Sequence, residues 1–350
     1  MDDVPPREPD ALPVEPARAE NLSAEIPRDD AVRYEPSAEA TAAEADRDEG
    51  EHELRYDFKL PLILLVLSCI SIFITGCCRW VPHNVFYECW TQHDFMPLRL
   101  AILAEWRTGL MFLFSLLGIL LAHEFGHFLL MVRYRVRSTL PLVIPFPISP
   151  FGTMGAVIAM EPDKANRREI FDISIAGPLA GLAVAIPVLI VGILQIDLQQ
   201  PPSGQLAIKP PLLMNWLLHW LQPTAWGNSS GEIWMSQANA WLFAGWMGMF
   251  VTGMNMFPVG QLDGGHITYT LMGRGAHRLS RVLMVAAFAY MAYTDNQLLL
   301  LMAVLIVVMG TDHPKTSDDS VPLGWPRVAL GWASLILPIV CLRPDPIVAF

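Results

Sequence analysis

The chain has 350 residues, 53% of them hydrophobic and gathered into long uncharged blocks, which excludes an ordinary soluble domain. The formal charge of −11 sits at one end: residues 1–57 hold 18 Asp/Glu against 6 Arg, while residues 58–350 are close to neutral. The acidity therefore says nothing of what the main body acts on, and the lack of a basic patch interleaved with aromatics excludes nucleic acid as a partner.

Residues 1–57 are rich in Pro, Ala and Glu and poor in large apolar side chains. They cannot bury enough surface to offset their chain entropy and are expected to form a disordered acidic cytoplasmic tail. They lack the basic start and apolar core of a signal peptide. Residues 58–350 are then a transmembrane domain with its core at 109–275.

A helix needs about 20 apolar residues to span a bilayer. Leu60–Cys78 qualifies, as do Gly109–Val132 and Ile173–Ile196. Ile233–Leu262 is uncharged over 30 residues, too long for one helix, and should stop near Asn255 because Pro258 and Gly260 follow. Ala276–Thr294 and Asn296–Thr311 form two short spans or one interrupted span, and Gly324–Leu342 is the last candidate. The expected fold class is an α-helical integral membrane protein with six to seven transmembrane helices.

Ser138–Met160 is also uncharged, but Pro141, Pro145, Pro147 and Pro150 cannot share a helix interior. The following Phe151-Gly152-Thr153-Met154-Gly155-Ala156 reads as extended strand or hairpin. Non-helical backbone at membrane depth survives only against protein or a wet cavity. A small re-entrant β element beside the active site is therefore expected.

The loop 133–172 holds six Lys/Arg and the loop 263–281 holds three, whereas 197–232 holds only Lys209. The asymmetry puts the first two loops and the N-terminus in the cytoplasm and suggests a cell inner or plasma membrane. Leu212–Leu221, with Trp216 and Trp220, reads as an interfacial helix or plug. Of five cysteines, four cluster at 69–89 without a CxxC pair, which argues against a cysteine zinc site. Cys77 or Cys78 could pair with Cys89 if that loop faces an oxidising space.

The chemistry centres on His123-Glu124-Phe125-Gly126-His127. On a helix, positions i and i+4 share one face, so two imidazoles at that spacing can chelate one zinc ion and Glu124 can reach a zinc-bound water. Two His and a Glu amid Leu, Phe and Ile are too costly to keep for packing alone. A catalytic zinc needs a third protein ligand and an open position. Asp263, which ends the uncharged 30-residue run before Gly264-Gly265, is the candidate, with a helix cap or turn residue as its plain alternative. His266 reads as a packing or supporting residue, because a fourth protein ligand would close the site. Asn255 is a functional candidate or simply the last residue of its helix.

HEFGH at 123–127 and N-x-x-P-x-x-x-L-D-G at 255–264 resemble the site-2 protease family of intramembrane metalloproteases, in a form lacking a PDZ domain. Phe151–Ala156 and Ile175-Ala176-Gly177-Pro178-Leu179-Ala180-Gly181 extend the likeness. The resemblance implies one zinc ion (Zn2+) per chain held by His123, His127 and Asp263, with Glu124 as general base. It implies that Asn255 polarises the substrate carbonyl or the oxyanion. It also implies a membrane-anchored protein substrate, such as a tethered transcriptional regulator, cut in regulated intramembrane proteolysis. The other classes open to the same residues are a membrane zinc-binding or transport protein and an inactive scaffold. Nothing in the sequence specifies an oligomeric state.

Overall fold

The computed structural model describes residues 58–160, 164–201, 203–204, 206–294 and 316–349. The acidic tail and the candidate span Asn296–Thr311 lie outside the described residues. The chain is a helical membrane protein. Among the described residues three helices are long and apolar enough to cross a bilayer: α1 (Lys59–Cys77), α3 (Met96–Tyr134) and α4 (Arg167–Gln195). The short α2 (Pro82–Gln92) joins the first two.

Helix α1 is packed inside out. Leu62, Ile63, Val66, Leu67 and Ile70 are exposed, while Ser68, Ser71 and Thr75 are buried. Lipid is as apolar as leucine, so a spanning helix turns its small polar residues toward the protein. Helix α3 has 39 residues, and Glu105 leaves helical geometry within it (φ −122°, ψ 19°). At 1.5 Å per residue its roughly 58 Å exceeds the hydrocarbon core of about 30 Å, and the kink divides it. The span expected at Gly109–Val132 is the part beyond that kink.

The proline-rich segment forms no helix. Strands β1 (Leu142–Phe146) and β2 (Gly152–Val157) make an antiparallel hairpin with an irregularity between Ile144 and Pro145, where proline cannot donate to the ladder. The Ser68 hydroxyl donates to the Val143 carbonyl at 2.8 Å and the Ser71 hydroxyl to the Gly152 carbonyl at 2.5 Å, pinning the hairpin to α1.

Helix α4 starts with a capping box, Asn166 against Glu169. Across the loop that follows come β3 (Leu206–Ile208), α5 (Leu212–Leu221), α6 (Pro223–Gly227) and β4 (Ile233–Trp234). Helix α7 (Ala240–Asn255) is capped by Asn239 and ends at Asn255, the stop expected from Pro258 and Gly260. It has 16 residues, fewer than the 30-residue apolar run suggested. Helices α8 (Asp263–Met272) and α9 (Gly275–Thr294) follow.

The expected last span Gly324–Leu342 is broken into α10 (Trp325–Ser334) and α11 (Leu337–Cys341), because Pro338 can sit only in the first turn of a new helix. Strand β5 (Ile347–Ala349) then pairs with β3, which also pairs with β4. The core joins α3, α4 and α7, with Trp80 stacked on Phe243 at 4.5 Å between ring centres and Phe112 edge-on to Trp80 at 6.2 Å. All five cysteines are free thiols, so the pairing of Cys77 or Cys78 with Cys89 is not formed.

Candidate metal centre

Helix α3 carries His123, Glu124 and His127, all buried. The start of α8 brings up Asp263 from 136 residues beyond His127. One carboxylate oxygen, Asp263 Oδ2, lies 3.2 Å from His123 Nε2 and 3.3 Å from His127 Nε2. The ligand atoms of these three residues all fall within 4.8 Å of one another. Among the described residues this is the one such convergence of three His, Cys, Asp or Glu side chains. His266 lies outside it.

The orientation of His127 is held from behind. Its Nδ1 sits 2.8 Å from the Ile173 carbonyl on α4, so Nδ1–H donates there and the Nε2 lone pair faces Asp263. Asn255 Nδ2 lies 3.2 Å from His123 Nε2, placing the last residue of α7 at the mouth of the site.

Room for the two rings comes from small residues on α4. A Cβ at position 177 would overlap the Nε2 edge of the His127 ring, and one at 181 would come 3.0 Å from His123 Nδ1. Glycine at these places allows imidazoles to fill the gap between two close helices. The turn behind Asp263 is equally tight, since a Cβ at 264 would overlap the Met256 carbonyl. The Asp-Gly-Gly sequence is thus a metal-facing carboxylate on a backbone folded back against itself. Asp263 also stands at a helix N-terminus, where the backbone dipole favours a negative charge.

These residues fit a zinc ion. Ligands at about 2.0–2.1 Å in a tetrahedron are separated by roughly 3.3 Å, which the two His–Asp separations match. Two imidazoles and one carboxylate are a donor set of catalytic zinc sites, and three protein ligands leave the fourth position open.

Residues 111–294, more than half of the chain, match the sequence model of the family described as Peptidase family M50. The chain belongs to that family. M50 comprises the site-2 proteases, so the resemblance seen in HEFGH and the Asn255–Gly264 segment is confirmed. The M50 chain is similar to a protein described as probable zinc metalloprotease EGY1, chloroplastic, from Arabidopsis thaliana, at 29% identity over 242 residues. That alignment covers 66% of this chain and 42% of the relative. The rice protein of the same description (Oryza sativa subsp. japonica) is 31% identical over 227 residues, covering 63% and 39%. EGY2 from Arabidopsis thaliana, also described as a probable chloroplastic zinc metalloprotease, is 24% identical over 228 residues, covering 64% and 40%. The chain spans about two fifths of the length of these relatives. Their chloroplastic description gives no support to the inner or plasma membrane expected from charge.

Two features of the site had no signature in the sequence. One is the Ile173 carbonyl that orients His127, a backbone atom that any residue type would supply. The other is the cluster in which Arg327 donates to both carboxylate oxygens of Asp172 at 2.7 and 2.9 Å while the Tyr134 hydroxyl donates at 2.7 Å. It ties α3, α4 and α10 together a few residues from the metal-facing histidines. In the sequence Asp172 is simply the residue before the apolar run Ile173–Ile196.

Proposed function

We propose that the chain is an intramembrane zinc endopeptidase. It hydrolyses a peptide bond in or near a transmembrane segment of a membrane-anchored protein substrate. The observation that carries the reading is the convergence of His123, His127 and Asp263 Oδ2 from two distant helices at zinc-ligand spacing, inside an M50 match.

His123, His127 and Asp263 would hold one zinc ion per chain. When bound, zinc supplies a Lewis acid that polarises the scissile carbonyl and acidifies water. Glu124 accepts a proton from the attacking water and passes it to the leaving amide nitrogen. Asn255 Nδ2 donates toward the oxygen on which negative charge develops. The Nδ1–H bond from His127 to Ile173 keeps the neutral tautomer in place.

A helical substrate hides its carbonyls in its own hydrogen bonds and must open locally. The β1–β2 hairpin serves as a re-entrant element whose edge near Gly152–Ile158 accepts the opened segment as an added strand. In this reading residues 58–350 form the protease domain, with core 109–275, six to seven spans and the 1–57 tail outside the bilayer. The site faces the side that carries Arg133, Arg135 and Arg137, taken as cytoplasmic.

The test uses the full chain in proteoliposomes with a membrane-anchored model substrate, fragments being read by mass spectrometry. Glu124→Gln should abolish cleavage and retain zinc. Cutting by that variant at the wild-type rate would sink the role of Glu124.

A further inference from the structure

Beside Asn255 the structure contains a cavity of about 130 Å³, walled by the hairpin on one side and by α3 and α7 on the other. Its walls include Leu116 and Leu120 from α3, Phe151 from the hairpin, and Met247, Phe250 and Val251 from α7. The Phe151 and Phe250 rings stand 6.1 Å apart across the two sides. No charged side chain is among the lining residues.

Its polar lining groups are already engaged. The Ser149 hydroxyl donates to the Phe146 carbonyl and accepts from the Phe151 and Gly152 amides. The Thr153 hydroxyl lies 2.7 Å from the Ile144 carbonyl and accepts from the Gly155 amide. Asn255, at the end nearest the metal-facing residues, holds its amide 3.2 Å from His123 Nε2. A charged guest would therefore be buried without a partner, which is expensive, whereas an apolar one exchanges water or lipid contact for close packing. Methionines in the wall adapt to guests of different outline.

We infer that this cavity is the specificity pocket for one large apolar side chain, leucine, methionine or phenylalanine, on the substrate residue next to the cleaved bond. The assignment rests on the protease reading and deepens it. Strand pairing with β2 fixes the register of the opened substrate. In that register one side chain enters the cavity beside the Phe151–Phe250 ring pair as its carbonyl reaches Asn255. Charged residues at this position are rejected.

The experiment uses the full chain in nanodiscs with a pool of membrane-anchored peptides randomised over one stretch, the cut sites being read by mass spectrometry. At one position flanking the cut, Leu, Met and Phe should dominate, with Asp, Glu, Lys and Arg depleted about tenfold or more. Val251→Phe fills the cavity and should move that one preference to Ala, Ser and Gly, leaving other positions as they were. Phe250→Ala opens the cavity and should admit Trp, which keeps the idea testable if the first variant does not fold. A flat profile beside the cut, or a profile that neither variant moves, overturns the pocket. Fragments that are identical for wild type and Glu124→Gln would instead refute the protease reading. Retention of uncut peptides on the wild-type chain then decides the pocket. Preference for Leu over Asp peptides that disappears in Val251→Phe supports it, and equal retention overturns it.

Discussion

The metal-bearing end of the helix core and the loop-and-strand layer at the far end of α4 are held together in opposite ways. Around His123 and His127, helices meet over bare backbone, and the space a methyl group would need is taken by an imidazole. In the far layer, short strands β3, β4 and β5 are joined by a few ladder bonds and by the partly buried pair Lys209–Asp345 at 2.8 Å. Trp216 and Trp220 of α5 stack on each other at 6.0 Å and face outward. The first region depends on absent atoms and cannot adapt; the second depends on side chains that can move. Sensitivity to substitution should therefore fall steeply from one to the other.

The largest contrast pairs two glycine-to-alanine changes. Gly177→Ala places a methyl group onto the Nε2 edge of the His127 ring and should cut the zinc content of purified protein more than tenfold, measured by elemental mass spectrometry. Gly227→Ala in α6 meets nothing within 4 Å and should leave zinc content as in wild type. Equal zinc in the two variants would break the comparison.

An intermediate effect is expected at the start of α4, on the metal side of the helix core. Arg327→Met removes both guanidinium bonds to Asp172 and leaves that carboxylate with Tyr134 alone. A loss of about 2 kcal/mol is expected in chemical denaturation. Zinc affinity should weaken less than for Gly177→Ala, since no ligand is displaced.

In the far layer Lys209→Ala should cost no more than about 1 kcal/mol, the range of surface ion pairs. The smallest effect concerns acid. Burial opposes the charged form of Asp345, yet the hydrogen bonds from Lys209 and Arg343 prevail and hold its carboxyl below the usual carboxylate range. A group whose pKa is depressed on folding contributes its stability above the ordinary value, about 3.9, and loses it as pH falls below that. Exchange of the β3 and β5 amides, corrected for intrinsic rate, should be unchanged from pH 7 to 5 and rise only below pH 4. A rise centred near neutrality would reject this pair as the latch.

Much of the metal site could be read from residue order because its first half is local. Helical periodicity alone places His123 and His127 on one face, and the bilayer makes an unpaired His-Glu-His cluster too costly to be incidental. Asp263 stood out as the charge that ends an uncharged run, and the four prolines of 141–150 gave away the hairpin. Length of apolar run was a poorer guide. Apolar stretches at 233–262 and 324–342 look like spans, yet the first gives a 16-residue helix after a loop and the second, which carries Arg327, breaks at Pro338. Hydropathy records what is apolar and does not distinguish lipid contact from burial against protein.

The amino-acid order by itself determined the chemistry: which side chains could ligate, which could take a proton, and which segments could not be helices. Those properties belong to residue types and to spacings of a few positions along the chain. Only the tertiary structure decided that Asp263 Oδ2 meets both imidazoles, that the Ile173 carbonyl orients His127, and that Arg327 closes on Asp172. Each joins atoms from separate helices, and around the histidines and Asp263 their separation is set by how closely the backbone packs over Gly177, Gly181 and Gly264.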